Sequence, residues 1–418
     1  MRGITVYAAI AVLCLMTPLA HAQHRAVRID LDPDHAFDNR VITFEWLKAQ
    51  GEAVTPRSSI NGPSMVYVPE HVPNRLGAYY LYFADHGGDH IKMAYADSPT
   101  GPFTLYRPND GVLTLRDTAD NTRLHERSGD RYIDFGNGLG VGSHIASPDV
   151  VYDEKAGRFQ MIYHGVRFRR LEDGSWRNAG GRTQRSYAAW SQDGLDFNPG
   201  QYGIELGGPY ARAFFYKGRG YLMTDHGSQQ RPESPEGLYT EPYARPAKLG
   251  SDGRPRITLH DRIEAILRSD PGFIGRDPDF RHHAVGVEDD TLFWWFTLRR
   301  EPQEVVDRIG SGEVIYEATV DLASEDWSRW NVTDLRLVLV PEHDFEGADL
   351  PAEVSLPSRP VEADGKTTRR VNELRDPGYF KDPISGRKFL YYGVAGEYGL
   401  AVAELLPTEG SHAAEEAP

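Results

Sequence analysis

Cysteine is nearly missing from this chain: one of its 418 residues is Cys, at position 14. That residue falls in an N-terminal stretch with a charged start at Arg2, an apolar run through Leu19 too short to span a bilayer, and an Ala20-His21-Ala22 cleavage signature. Residues 1–22 therefore read as a secretory leader, and Leu13 is too large for the residue before a lipidated cysteine. Downstream of the leader, the lack of thiols excludes disulfides, a thiol nucleophile and a Cys-ligated metal. A secreted domain without disulfides must rest on a large hydrophobic core, which a chain of this length can bury. Long apolar runs are missing too, so no membrane span is expected. Basic clusters are scarce: 46 Lys and Arg face 61 Asp and Glu, a net charge of −15, and Arg167, Arg169 and Arg170 make only a short run. A nucleic-acid footprint is thereby excluded.

What the chain has in quantity is short runs rich in Tyr, Phe, Val and Trp, broken by Gly, Asp and Pro, which read as β-strands. One unit recurs five times: a strand entered through Pro or a small residue, a polar turn, then an aromatic-rich strand ending in charged or imidazole residues. The copies run from Asn61 to His86, Ser147 to His164, Ala211 to His226, His283 to Arg299 and Arg375 to Glu397. A hairpin with further strands, repeated about an axis, builds a β-propeller. The expected architecture is all-β: a five-bladed propeller over 61–406 with a funnel-shaped site on its axis, an N-terminal extension at 23–60 and a flexible acidic tail at 407–418. Long insertions at 106–143 and 326–370 make the spacing uneven, and His260–Ser269 has a short helical pattern. The Trp294-Trp295 and Tyr391-Tyr392 pairs read as packing between blades, since neighbours in a strand point to opposite faces.

The strings Ser147-Pro148-Asp149-Val150, Tyr79-Tyr80-Leu81-Tyr82-Phe83 and Ala96-Asp97-Ser98-Pro99-Thr100-Gly101-Pro102-Phe103 resemble the five-bladed glycoside hydrolases of family 43 and its relatives. The resemblance implies a carbohydrate-active enzyme with its site on the propeller axis, no required cofactor, and a structural calcium ion or water in the channel. Enzymes of that family invert with three carboxylates on successive blades, acid and base held roughly 6.5–9.5 Å apart to admit a water. Only the second carries over, onto Asp149. Asn61-Gly62 stands where the first is expected and Ala211-Arg212 where the third is, and neither Asn nor Arg can replace a carboxylic base or acid.

Hairpin geometry brings the start of one strand and the end of the next to the same mouth. The blades thus offer Asn61, Asp85 and His86; His144, Asp149 and His164; Tyr210, Arg212, Asp225 and His226; His282, His283, Arg299 and Arg300; and Arg375, Asp376 and Glu397. From these, Asp149, His164, His144, Asp376 and Glu397 are taken as catalytic, and His86, Tyr210, Arg212, His226 and Arg299 as substrate-binding; no metal ligands are assigned. The function expected is hydrolysis of glycosidic bonds in a poly- or oligosaccharide, acidic or sulfated given the Arg and His at the mouth. A polysaccharide lyase abstracting a uronate proton with His and Tyr is the alternative, and a non-catalytic glycan-binding propeller the second. The sequence is silent on oligomeric state.

Overall fold

Strand periodicity decides how this chain packs. Along Thr291–Arg299, Leu292, Trp294, Phe296 and Leu298 join one core with Phe214, Tyr216 and Trp330, while Phe293 and Trp295 join another with Ile315, Leu390 and Tyr392. A strand apolar at five successive positions, Leu292 to Phe296, is buried on both faces, so the sheets stack face to face. Trp294 and Trp295 serve two different inter-sheet cores, and so do Tyr391 and Tyr392.

The computed structural model describes residues 24–115, 132–179, 184–198, 205–223, 279–324, 329–355, 360–363 and 368–408, except 35 and 208. Four antiparallel blades are present. One holds Asn61–Tyr67, Tyr79–Ala84, His90–Ala96 and Thr104–Tyr106 in order, and another runs from Tyr132–Asp134 through Leu139–Asp153, Arg158–Arg170 and Gln184–Ser191 to Glu205–Gly207. A third holds Asp279–Glu288, Thr291–Arg299, Ile315–Asp321 and Asn331–Leu339. The last holds Arg375–Lys381, Lys388–Val394 and Gly399–Pro407, whose outer edge pairs with His24–Arg28 and Arg40–Thr43. The strands His24–Arg28 and Arg40–Thr43, from a stretch expected as an extension, thus belong to this sheet.

Among the described residues the blade count is four rather than the five expected. In the remaining place the described residues form a two-stranded ribbon, Arg212–Tyr216 with Arg219–Met223. The chain that follows it, with His226 and the helix expected at 260–269, lies outside the described residues, as do residues 1–23, where the leader was expected, and 409–418. The innermost strands still close a ring. Asn61–Tyr67 packs against Leu139–Asp153, the ribbon against Asp279–Glu288, that strand against Arg375–Lys381, and Arg375–Lys381 back against Asn61–Tyr67. The link from Leu139–Asp153 to the ribbon is polar: the Ala213 amide donates to Asp149 Oδ2 at 3.0 Å, and Arg212 Nη1 to the Ser147 carbonyl at 3.2 Å.

Each inner strand carries a left-handed residue, or in the ribbon is preceded by one: Gly62 (φ 60°), Ser147 (47°), Tyr210 (56°), His282 (55°) and Asp376 (48°). In the four blades the strand register also slips there, at Asn61/Ser64, opposite Ile162/His164, at Arg281/Ala284 and at Arg375/Gly378. A bulge of this kind re-aims the side chains beside it, and its strain in non-glycine residues is the kind that collects at functional sites. At Gly62 a Cβ would also sit 2.6 Å from Ser147 Cα. Gly62→Ala is therefore expected to lower stability by about 2–3 kcal/mol, read as a shift of the urea midpoint.

Candidate active site

The bulges turn a closed circle of titratable side chains onto the axis. His86 stacks on His144 with ring centroids 6.4 Å apart, and His144 meets His164 edge-on at 5.9 Å. His164 packs against Tyr210 at 4.6 Å, and Tyr210 against His282 at 5.0 Å. His282 Nε2 lies 3.5 Å from Asp376 Oδ1. Glu397, whose charge acts on Asp376, returns the circle to His86, its Oε1 lying 3.4 Å from Nδ1. Six residues expected from sequence are thus brought together: His86, His144, His164, Tyr210, Asp376 and Glu397.

The others stand beside the circle. Asp149 is half-buried, holding the Ala213 amide with Arg212 next to it. Arg212 is buried, with Nη1 on the Ser147 and Ala211 carbonyls, both 3.2 Å away. Arg299 pairs in register with Asp279 at the strand end, and the same blade contributes His282 to the circle. His283 faces the other way and accepts a 2.9 Å hydrogen bond from Trp294 Nε1.

A buried ionic scaffold carries one arc. Arg281 grips Glu313 in a fork, Nε to Oε1 at 2.8 Å and Nη2 to Oε2 at 2.6 Å. Thr297 and Ser355 hydroxyls donate to the same carboxylate at 2.6 and 2.8 Å. Arg375 reaches three acids: Glu313 at 3.3 Å, Glu397 at 3.3 Å, and Glu373, which its Nε contacts at 2.6 Å. Asn61 Nδ2 adds a 3.3 Å bond to Glu397. Arg281, Glu313 and Glu373 escaped the sequence reading; Glu313 sits in an unremarkable strand entry 32 residues from its partner, whereas Glu373-x-Arg375 was a visible pairing.

Four buried carboxyls share two guanidiniums here, and the shortage sorts their protonation. Burial raises Glu313, but Arg281 and Arg375 overcome it and hold that carboxyl well below its usual range. Burial likewise opposes ionisation of Glu397, and His86 and Arg375 reverse it. The other two stay raised: burial lifts Glu373 in spite of Arg375, and burial, reinforced by the Glu397 charge, pushes Asp376 up to about 7, its Oδ2 buried with no hydrogen-bond partner among the described residues. Burial also raises Asp149, tempered by Arg212. Among the imidazoles, burial with the His86 charge takes His144 down to about 4, and burial lowers His164 and His282 as well. His86 goes the other way, because Glu397 outweighs the burial of its ring. At neutral pH the axis therefore presents neutral imidazoles, one protonatable histidine, an ionised Glu397 and a carboxyl poised to give up its proton.

The channel calcium implied by the resemblance finds no cage here. Glu397 is turned to Arg375, Asn61 and His86, Asp376 to His282, and among the described residues no group of three or more His, Asp or Glu could hold a metal ion. No step is routed through such an ion. Nor is any helix among the described residues long and apolar enough to cross a membrane.

No family model matches the chain. It is 29% identical over 362 residues, 83% of each chain, to an uncharacterised protein, R118, of Acanthamoeba polyphaga mimivirus. Similar solved structures include a thermostable family-43 glycoside hydrolase (13% identity, 84% of this chain and 91% of that one, TM-score 0.42). An α-L-arabinofuranosidase from Lactobacillus brevis gives 11% identity, coverage of 85% and 93%, and a TM-score of 0.43. A β-xylosidase/α-arabinofuranosidase from a compost metagenome, solved with xylotriose, gives 12%, 84% and 92%, and 0.42. These likenesses are ones of strand arrangement and extend no further.

Proposed function

We propose that this protein is a glycosidase that cleaves glycosidic bonds of a poly- or oligosaccharide at the axial circle. The observation that carries the reading is a pair of buried carboxyls on one circle in opposite surroundings: Asp376 has an Oδ2 without a partner among the described residues and is pushed up to about 7 by burial, whereas Glu397 lies 3.3 Å from Arg375 and 3.4 Å from His86, which favour its ionised form. Two titratable groups whose surroundings push them apart are the mark of an acid and its charged counterpart. Asp376 gives its proton to the glycosidic oxygen as the bond to the anomeric carbon breaks. Glu397 stabilises the positive charge growing on the sugar ring, and the attacking water returns a proton to the pair. We further take the glycan to be acidic or sulfated: His86, 36% exposed, is favoured in its cationic form by Glu397 and faces the mouth. The leader at residues 1–22 supports export.

The test is incubation with neutral, uronic and sulfated polysaccharides, following new reducing ends together with the absorbance of unsaturated uronyl products. Reducing ends without that absorbance support hydrolysis, and no cleavage of any glycan overturns it. Reducing ends with rising absorbance favour the second reading, β-elimination, which draws on the contact of His164 with Tyr210: a neutral base beside a phenolic acid. Under hydrolysis, Asp376 must be protonated to act. Activity is then expected to fall as pH rises through about 7, a limb of the kcat/KM profile that Asp376→Asn removes.

A further inference from the structure

The circle leaves open what each imidazole does, and one contact outside it separates them. Gln184 lies on strand Gln184–Ser191, beside the strand that carries His164, and its Nε2 is 3.0 Å from His144 Nε2. An amide nitrogen has only hydrogens to give, so the imidazole nitrogen facing it must be a lone pair. The ring's one proton is then on Nδ1. We propose that Gln184 is a positioning residue that fixes His144 as the Nδ1–H tautomer, so that His144 serves the site as a neutral hydrogen-bond donor.

Several features converge on this assignment. Protonating Nε2 would set one N–H against another, so the amide opposes the imidazolium. The groups facing His144 work in the same direction: His86 stacks on it from the neighbouring blade, His164 meets it from its own, and neither is an acid. Burial lowers the ring further, to about 4. With its Nε2 lone pair engaged, His144 cannot take a proton from substrate through that nitrogen. Proton acceptance on this blade falls to His164, whose Nδ1 is buried without a partner. His144 instead directs N–H at a sugar hydroxyl, a glycosidic oxygen or a carboxylate. This division of labour rests on the axial circle being the active site, but the tautomer itself does not.

The experiment is therefore spectroscopic. In the full chain labelled with ¹⁵N, the His144 signals, identified by their loss in His144→Asn, are followed from pH 5 to 8. Nε2 is expected at the shift of an unprotonated nitrogen and Nδ1 at that of a protonated one throughout. In Gln184→Glu a carboxylate replaces the amide within reach of Nε2, and His144 is expected to become imidazolium at a pH higher by at least roughly one unit. Gln184→Leu, which removes the contact without adding charge, is expected to leave a mixture of tautomers and to lower kcat more than it raises KM. A protonated Nε2 in the unaltered chain, or an unmoved His144 titration in Gln184→Glu, overturns the proposal. Should no glycan be cleaved, the catalytic reading fails while the tautomer result stands independently.

Discussion

Asp376→Asn is expected to lower turnover on the cleaved glycan by at least roughly a hundredfold, the scale on which positioned proton donors contribute, while leaving the protein folded. The amide keeps the shape of the side chain and adds no charge to a site only 2% exposed. Stability makes the result diagnostic, because its sign is opposite to that of activity. In the folded chain Asp376 holds its proton up to about pH 7, whereas unfolded it lets go near 3.8. Between those values the native state binds more protons than the unfolded one, so the native state loses stability as pH rises. Asn has no proton to lose. The variant is expected to be at least as stable as the parent at pH 8 and to show less decline from pH 4 to 8, as read from urea midpoints. A variant less stable at pH 8 and still active would place Asp376 in the scaffold instead.

The second large effect is on stability. Glu313→Leu is expected to cost about 3–5 kcal/mol, because it leaves the guanidiniums of Arg281 and Arg375 in the interior without their shared partner. Thr297 and Ser355 lose their acceptor as well. Replacing Arg281 by Met in the same chain removes one stranded cation and is expected to recover part of the loss. The pair is to be compared by thermal midpoint with each single change. Recovery close to zero would mean that the scaffold does not act as a charge-balanced unit.

The hairpins were legible because each aromatic run declares a strand buried on two sides, and because Gly62-Pro63, Ser147-Pro148 and Asp376-Pro377 mark the entries where the backbone bulges. Proline is tolerated at such bulges, where no ladder hydrogen bond is asked of it. The strand-end rule then led to His86, His144, His164, Tyr210, Asp376 and Glu397. The same rule named His282, which the bulge between Arg281 and Ala284 accompanies and which joins the circle through Tyr210. Glu313 and Gln184 were beyond reach: each acts through a partner distant in sequence, Arg281 in one case and His144 in the other, and no local pattern announces either. Arg212 was found in the right neighbourhood, but its guanidinium is spent on the Ser147 and Ala211 carbonyls.

The strand His24–Arg28 pairs with Gly399–Pro407, His24 opposite Pro407 and Arg28 opposite Ala403. Two segments far apart in the chain must therefore find one another before this sheet is complete, a long loop closure whose entropy is spent before its contacts form. Asp376 and Glu397 are carried by that same sheet, so their places on the circle depend on a pairing between segments distant in sequence.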